Sequence, residues 1–375
     1  MTGDRVLPDW SQHSEEWLGV TAIGLGVLAV FLLSELTRVR AGWSPESTRK
    51  LSHAGAGLVV IWLPFLGVSP LATWGLAAAM GLLLWLGKLL GFLQSIHGVS
   101  RHTQGAYLYP LAVALLFQAT QGEPALFVLP VLILALSDSG AALMGEERGR
   151  RVYRVLDGER SLEGSLTFFS LTLLLCLGGL SVMDAAAWPE ALVVALIVAV
   201  MTTAVESISV RGFDNLLIPY VAWLVLERSL RLGLPELEAW ALGILLALCV
   251  SVLAAHIARL TAASLVAVFV LIALSTSLGG TVWVAPWLLL LLIQAVAGWG
   301  GQALDYQRVL PAILAALVFL LLHVHWQDPG LYGPYLVSTV AGAWLSLSRT
   351  GPGSLLATPL KAFAAGGLVW LMLGA

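Results

Sequence analysis

The sequence predicts an all-α protein, a polytopic bundle of about fourteen membrane-spanning helices with both termini on the non-cytoplasmic side. Three observations carry this expectation. Of 375 residues, 59% are hydrophobic and only 11% are charged, a balance that soluble domains of this length do not carry. Apolar runs of spanning length recur from Trp17 to the C-terminus, and the polar stretches between them are too short to build a separate soluble domain. The basic residues also segregate: numbering alternate loops from the first, one side collects fifteen of the nineteen Lys and Arg. By the positive-inside rule that side is cytoplasmic.

Taken in order, the apolar runs place spans near 17–36, 54–70, 71–93, 107–120, 124–144, 165–183 and 187–207. They continue near 216–232, 237–257, 262–280, 283–299, 309–326, 331–348 and 355–374. Asp4, Asp9, Glu15 and Glu16 precede the first run where a signal peptide would carry a basic segment, so no signal peptide is expected. The fourth run is short. Arg228 and Arg231 lie on the outer side with Arg5, and Lys361 falls within the last run. Cys176 and Cys249 sit inside apolar runs without CxxC or Cys/His spacing, so neither a disulfide framework nor a cysteine metal site is expected.

Four polar segments on the basic side are denser in reactive groups than topology requires. The first, TRKLSHAGAG, places Arg49, Lys50 and His53 within one helical turn, a cluster suited to a polyanion. Arg49 and Lys50 alone would satisfy the positive-inside rule; His53 adds no dependable charge and fits that reading less well. The second, LSDSGAALMGEERGRR, puts Asp138 near the end of an otherwise apolar helix. An ionisable group at that depth costs about 2.5 kcal/mol or more unless it meets a cavity, partner or metal. The competing reading is a helix–helix hydrogen bond through Ser137, Asp138 and Ser139. Gly140, Gly145 and Gly149 permit either close helix packing or close approach of a phosphate.

The third segment, GERSLEGSL, follows Arg148, Arg150, Arg151 and Arg154. Arg160, Ser161, Glu163 and Gly164 stand where the next span opens, so amide groups at a positive helix end form a plausible anion cradle. Capping would explain Ser161 and part of Glu163, but not five arginines within thirteen residues. The fourth, AVESISVRGFDNLLIP, carries Glu206 at a helix end and then Arg211, Asp214 and Asn215. Asp214 and Asn215 could simply cap the next helix. Oxygen ligands on short connections also suit Mg²⁺ bound to a nucleotide, since one or two carboxylates suffice while phosphates and water complete the octahedron. Asp138, Glu206 and Asp214 are therefore the candidate metal ligands. The chemistry so indicated is phosphoryl or nucleotidyl transfer to a lipid. No GxxxxGK[ST], HRD or DFG set, or HExxH is present, and Gly24 and Gly26 are read as packing.

In this order, RKLSH, DSGAALMGEERGR, SLEGS and ESISVRGFDNLLIP resemble the polyprenol kinases typified by phytol kinase and dolichol kinase, over roughly residues 40 to 230. The resemblance implies an integral membrane enzyme that phosphorylates a long-chain isoprenoid alcohol with a nucleoside triphosphate, often CTP. The residues expected to act are Asp138, His53, Glu206 and Asp214 at the reacting groups. Arg49, Lys50, Arg151, Arg160, Ser161, Glu163, Gly164 and Asn215 are expected at the nucleotide and phosphate. One departure stands out: the pattern expects lysine before the SLEGS serine, where this chain has Arg160, a planar fork in place of a compact ammonium. Phosphatidate cytidylyltransferases share a similar Asp, Gly and Ser-x-Glu-Gly pattern, and the DN-L-x-x-P segment favours the kinases. A lipid or solute transporter is the third reading, although polar density confined to one half and one face is unlike matched transporter repeats.

Two domains are expected, a catalytic membrane domain over 1–236 and an accessory helical domain over 237–375 that completes a hydrophobic groove or supports homo-oligomer formation. In the latter, Asp305 has no matching motif around it. His323 and His325, near Trp326 and Asp328, are read as interfacial residues and not metal ligands. Expected partners are the isoprenoid alcohol, the nucleoside triphosphate and membrane lipid, with the site on the cytoplasmic face and no nucleic acid.

Overall fold

The computed structural model describes residues 10–98, 104–155, 158–209, 211–258, 261–288, 318–320, 322–323 and 328–347. The chain divides into two compact units, one of Met1–Val152 with Glu159–Leu237, the other of Tyr153–Gly158 with Glu238–Ala375.

The first unit is a helical bundle whose turns follow from local sequence. Helix α1 (Trp10–Ala41) ends before Gly42, and Ser44 then caps α2 (Pro45–Val60) by accepting from the Ser47 amide at 3.1 Å, with Pro45 at the first helical position. Ser69 caps α3 (Pro70–Leu90) in the same way. A short α4 (Gln94–His97) leads to α5 (Gly105–Thr120), and then α6 (Pro124–Leu132) runs through a widened π-helical turn, Ile133–Ser137, into α7 (Asp138–Arg148). A two-stranded hairpin, β1 (Val152–Val155) and β2 (Gly158–Ser161), whose stretch Tyr153–Gly158 belongs to the second unit, precedes α8 (Leu162–Val182), α9 (Trp188–Ile208) and α10 (Asp214–Ser229). The hairpin is a small addition to the expected all-α fold.

The continuous helix formed by α6, the π turn and α7 is two-thirds buried over its most apolar stretch, as is α9. These two carry Asp138 and Glu206. Around them α8 packs on α7 and α9, α10 packs on α5, α6 and α9, and α2 packs on α1 and the π turn. Small residues permit the close approaches. A Cβ on Gly140 would stand 2.5 Å from Leu171, and one on Gly179 would stand 2.2 Å from Leu129. Large apolar side chains such as Leu71, Leu174 and Val182 point outward, as suits a surface solvated by lipid chains as apolar as themselves.

The second unit contains α11 (Leu234–Ala258, whose first turn belongs to the first unit), α12 (Ala262–Gly279) and α13 (Tyr332–Leu347). Inside it, the Tyr335 hydroxyl, Ser275 and the Trp287 indole form a buried hydrogen-bonded cluster. His323 is stacked on Trp283 and its Nδ1 donates to the Asp328 carbonyl at 2.9 Å.

Among the described residues, seven helices are long and apolar enough to cross a membrane, and Gly105–Thr120 is a shorter apolar helix. The protein is accordingly an all-α polytopic membrane protein. Most expected spans coincide with helices to within a few residues. The span expected at 54–70 does not: α2 starts nine residues earlier and stops at Val60, and Leu63–Phe65 form a separate 3₁₀ turn. The Ser44 and Pro45 start signal and the proline at position 64 account for the shift. The runs at 283–299, 309–326 and 355–374 lie wholly or largely outside the described residues, as do Asp4, Asp9, Asp305, His325, Trp326 and Lys361.

Candidate active site

A buried ion pair lies within the first unit. Helix α2 turns Lys50 and His53, three residues apart, toward the start of α7, where Lys50 Nζ lies 2.6 Å from Asp138 Oδ2 and His53 Nε2 lies 3.6 Å from the same oxygen. Lys50 and Asp138 are 7% and 3% exposed. Their pairing explains how an ionised carboxylate is tolerated there. Arg49, expected on the same face, points instead to Glu46 one turn away, at 2.9 Å.

The π turn supplies a second contact. His53 Nε2 lies 3.0 Å from the carbonyl of Leu134, which only accepts, so Nε2 carries the proton and donates. In that tautomer Nδ1 is left as the basic nitrogen. Widened turns of this kind recur at functional sites because they redirect carbonyls and side chains.

The second group of charges comes from the hairpin, α9 and α10. Arg160 spreads its guanidinium between Glu206, at 3.2 Å, and Asp214, at 3.8 Å, and donates to the Ser209 carbonyl at 3.5 Å. Gly212, at φ +88°, makes the turn that presents Asp214 at the N-terminal end of α10. Asn215 anchors the same turn by donating from Nδ2 to the Gly105 carbonyl at 2.8 Å. Burial, and after it the negative charge of Asp138, push the Asp214 carboxyl above its ordinary value, while Arg160 and Lys50 oppose them.

Ser161, Glu163 and Gly164 have a more local role. Ser161 Oγ accepts from the Gly164 amide at 3.1 Å, and the Glu163 carboxylate accepts from the amides of Arg150 and Arg151 at 3.1 and 3.2 Å. Ser161 therefore caps α8, while Glu163 ties the start of the helix to the backbone of Arg150 and Arg151. Gly164 lies against α7, where a Cβ would stand 3.0 Å from the Ala141 carbonyl. Gly145 and Gly149 pack against Ser161, which identifies close packing as the use of these glycines here. Arg151 is exposed, and its backbone holds Glu163 and Leu162. Ser137 does bridge helices, accepting from Thr172 of α8 at 3.0 Å, whereas its neighbour Asp138 is used by Lys50.

Sequence reasoning did not single out Tyr109. Its ring meets His53 edge-on at 4.6 Å, and its buried hydroxyl has no hydrogen-bond partner. A tyrosine inside an apolar run carries no signal of its own.

Among the described residues, no three His, Cys, Asp or Glu side chains converge closely enough to form an all-protein metal cage. The donor set still fits magnesium, which takes hard oxygen ligands and keeps several waters and substrate phosphates. Three carboxylates face two cations, Lys50 and Arg160, and a bound Mg²⁺ would leave a small positive excess of the kind that suits phosphate oxygens.

A curated relative, phytol kinase from Synechocystis sp., is 34% identical to the chain over 217 residues, which cover 55% of this chain and 91% of the relative. No protein-family profile and no solved structure matches.

Proposed function

The chain belongs to the phytol kinase family, and on that footing we propose that it is a membrane-embedded kinase of a long-chain isoprenoid alcohol of the phytol, geranylgeraniol, polyprenol or dolichol type. The phosphoryl donor is a nucleoside triphosphate, CTP foremost, and the product is the prenyl monophosphate. The observation that carries the reading is a pair of buried charge groups in one helical unit, Asp138 with Lys50 and His53, and Glu206 and Asp214 with Arg160. Phosphoryl transfer demands chiefly charge stabilisation and positioning, and this site is built from both.

In the proposed reaction the alcohol oxygen bonds to the terminal phosphorus as the bond from that phosphorus to the bridging oxygen breaks, releasing the nucleoside diphosphate. His53, with Nε2 held by Leu134, is placed to take the alcohol proton at Nδ1. Lys50 holds Asp138 in position, and Arg160 does the same for Glu206 and Asp214. When bound, magnesium supplies positive charge to the phosphate oxygens, with Asp138, Glu206 and Asp214 as the residues that would hold it. Arg49, Arg151 and the amides around Ser161, Gly164 and Asn215 lie in the segments proposed to receive the rest of the nucleotide.

The segregation of Lys and Arg supports a site on the cytoplasmic face, about fourteen spans in the full chain and both termini outside. Residues 237–375 are proposed to complete the groove for the isoprenoid tail or to support self-association. The test is product identification by mass spectrometry, using protein purified in detergent, Mg²⁺, a panel of nucleotides, and farnesol, geranylgeraniol, phytol and a polyprenol. Appearance of a prenyl monophosphate with at least one pair supports the proposal. No phosphorylated alcohol from any pair refutes it.

A further inference from the structure

Tyr109 on α5 presents a polar atom that the fold itself does not use. Its side chain is buried, with 8% of the residue exposed, and its hydroxyl has no hydrogen-bond partner. Such a group is unfavourable in a packed interior unless something else satisfies it, because the hydroxyl has lost its water without a replacement. Its surroundings are the reacting groups. The ring contacts His53 at 4.6 Å between centroids, and the hydroxyl lies beside Gly57, where a Cβ would stand only 2.8 Å from it. Gly57 and Ala135 are the small residues at this crossing of α2 and the π turn, so no larger side chain competes for the hydroxyl.

Resting on the phosphoryl-transfer reading above, we propose that the Tyr109 hydroxyl is the group that receives the oxygen of the acceptor alcohol. The phenol donates its hydrogen to one lone pair of the alcohol oxygen. The second lone pair is left to form the bond to phosphorus, and the alcohol O–H is left to face His53. Tyr109 neither gains nor loses a proton, and the alcohol proton passes to the base while the nucleoside diphosphate leaves. An apolar chain attached to that oxygen would then lie among the helices, as an isoprenoid requires.

The test is Tyr109→Phe in the full-length protein, a change that removes only an oxygen without a partner. A residue with a purely structural role would leave kinetics unchanged. The proposal expects an unchanged or raised thermal midpoint, a nucleotide KM within about twofold of wild type, and a kcat/KM for geranylgeraniol lowered about three- to tenfold, the range for one neutral hydrogen bond. It also expects farnesol to raise the thermal midpoint of wild type more than that of the variant. Equal kcat/KM for the alcohol in both proteins overturns the assignment. If wild type phosphorylates no alcohol, the kinase reading fails, and the farnesol comparison decides Tyr109 by itself: equal shifts overturn its assignment as well, and a smaller shift in the variant retains it as an alcohol contact.

Discussion

Lys50 of α2 and Asp138 of α7, 88 positions apart in sequence, meet at 2.6 Å with both side chains buried. The contact makes each the condition for the other. Each charge alone is costly at this depth, and the pair lets both side chains stand inside the bundle where the proposed phosphoryl transfer would use them.

It follows that Asp138→Asn has two separable effects. Turnover should fall to background at saturating Mg²⁺. The thermal midpoint should also fall, because an unpaired Lys50 ammonium inside the bundle costs about 3 kcal/mol or more. The double variant Lys50→Met, Asp138→Asn should recover part of the midpoint and none of the turnover. Full activity in the single variant would remove Asp138 from the site, and recovered activity in the double variant would make its role structural.

Arg160 tests whether charge or shape matters. Its fork spans Glu206 and Asp214 at once, which a lysine ammonium cannot reproduce with the same geometry. Arg160→Lys should lower kcat/KM about tenfold, the scale of one charged hydrogen bond, and Arg160→Ala should lower it further. Equal activity of wild type and the lysine variant would show that positive charge alone suffices.

Much of this was legible in the sequence, for a physical reason. Carboxylates at the ends of apolar helices are costly, so Asp138 and Glu206 stood out without any structure, as did Lys50, His53 and Arg160 in polar segments between apolar runs. Their pairing was not legible, because contacts such as Lys50 to Asp138 depend on how helices distant in sequence pack. The π turn was hidden as well, since ILALS reads as ordinary helix. Ser161 and Glu163 are ambiguous between cap and cradle in the sequence; Ser161 caps α8, and Glu163 accepts from the amides of Arg150 and Arg151, partners that no local pattern specifies. Tyr109 was lost in an apolar run. The hairpin escaped notice because its strands are four residues each, too short for alternation to register.

Orientation can be read by cysteine labelling from each side of the membrane. Of the native cysteines, Cys176 is buried and Cys249 exposed, so Cys249→Ser supplies the background. Cysteines placed at Arg150 and Arg211 should react only from the cytoplasmic side, and one at Asp184 only from outside. Labelling of the first two from opposite sides would divide the proposed site across the bilayer.

The alignment with the cyanobacterial relative takes in 91% of that protein but only 55% of this chain. A chain ending after Arg231 keeps every residue assigned here to phosphate or metal. If stably inserted, it should phosphorylate farnesol and lose apparent affinity for longer alcohols, since each buried CH₂ contributes about 0.8 kcal/mol. A folded truncation that neither binds nucleotide nor acts on any alcohol would place part of the site in the second half.

The fate of two labels separates phosphoryl transfer from nucleotidyl transfer. Purified protein is given a prenyl alcohol, Mg²⁺ and CTP labelled at either the alpha or the gamma phosphorus, and the lipid fraction is counted. A kinase of the proposed kind puts gamma label in a prenyl monophosphate and no alpha label in lipid. Alpha label in the lipid, with release of pyrophosphate, would contradict it and make the protein a nucleotidyl transferase.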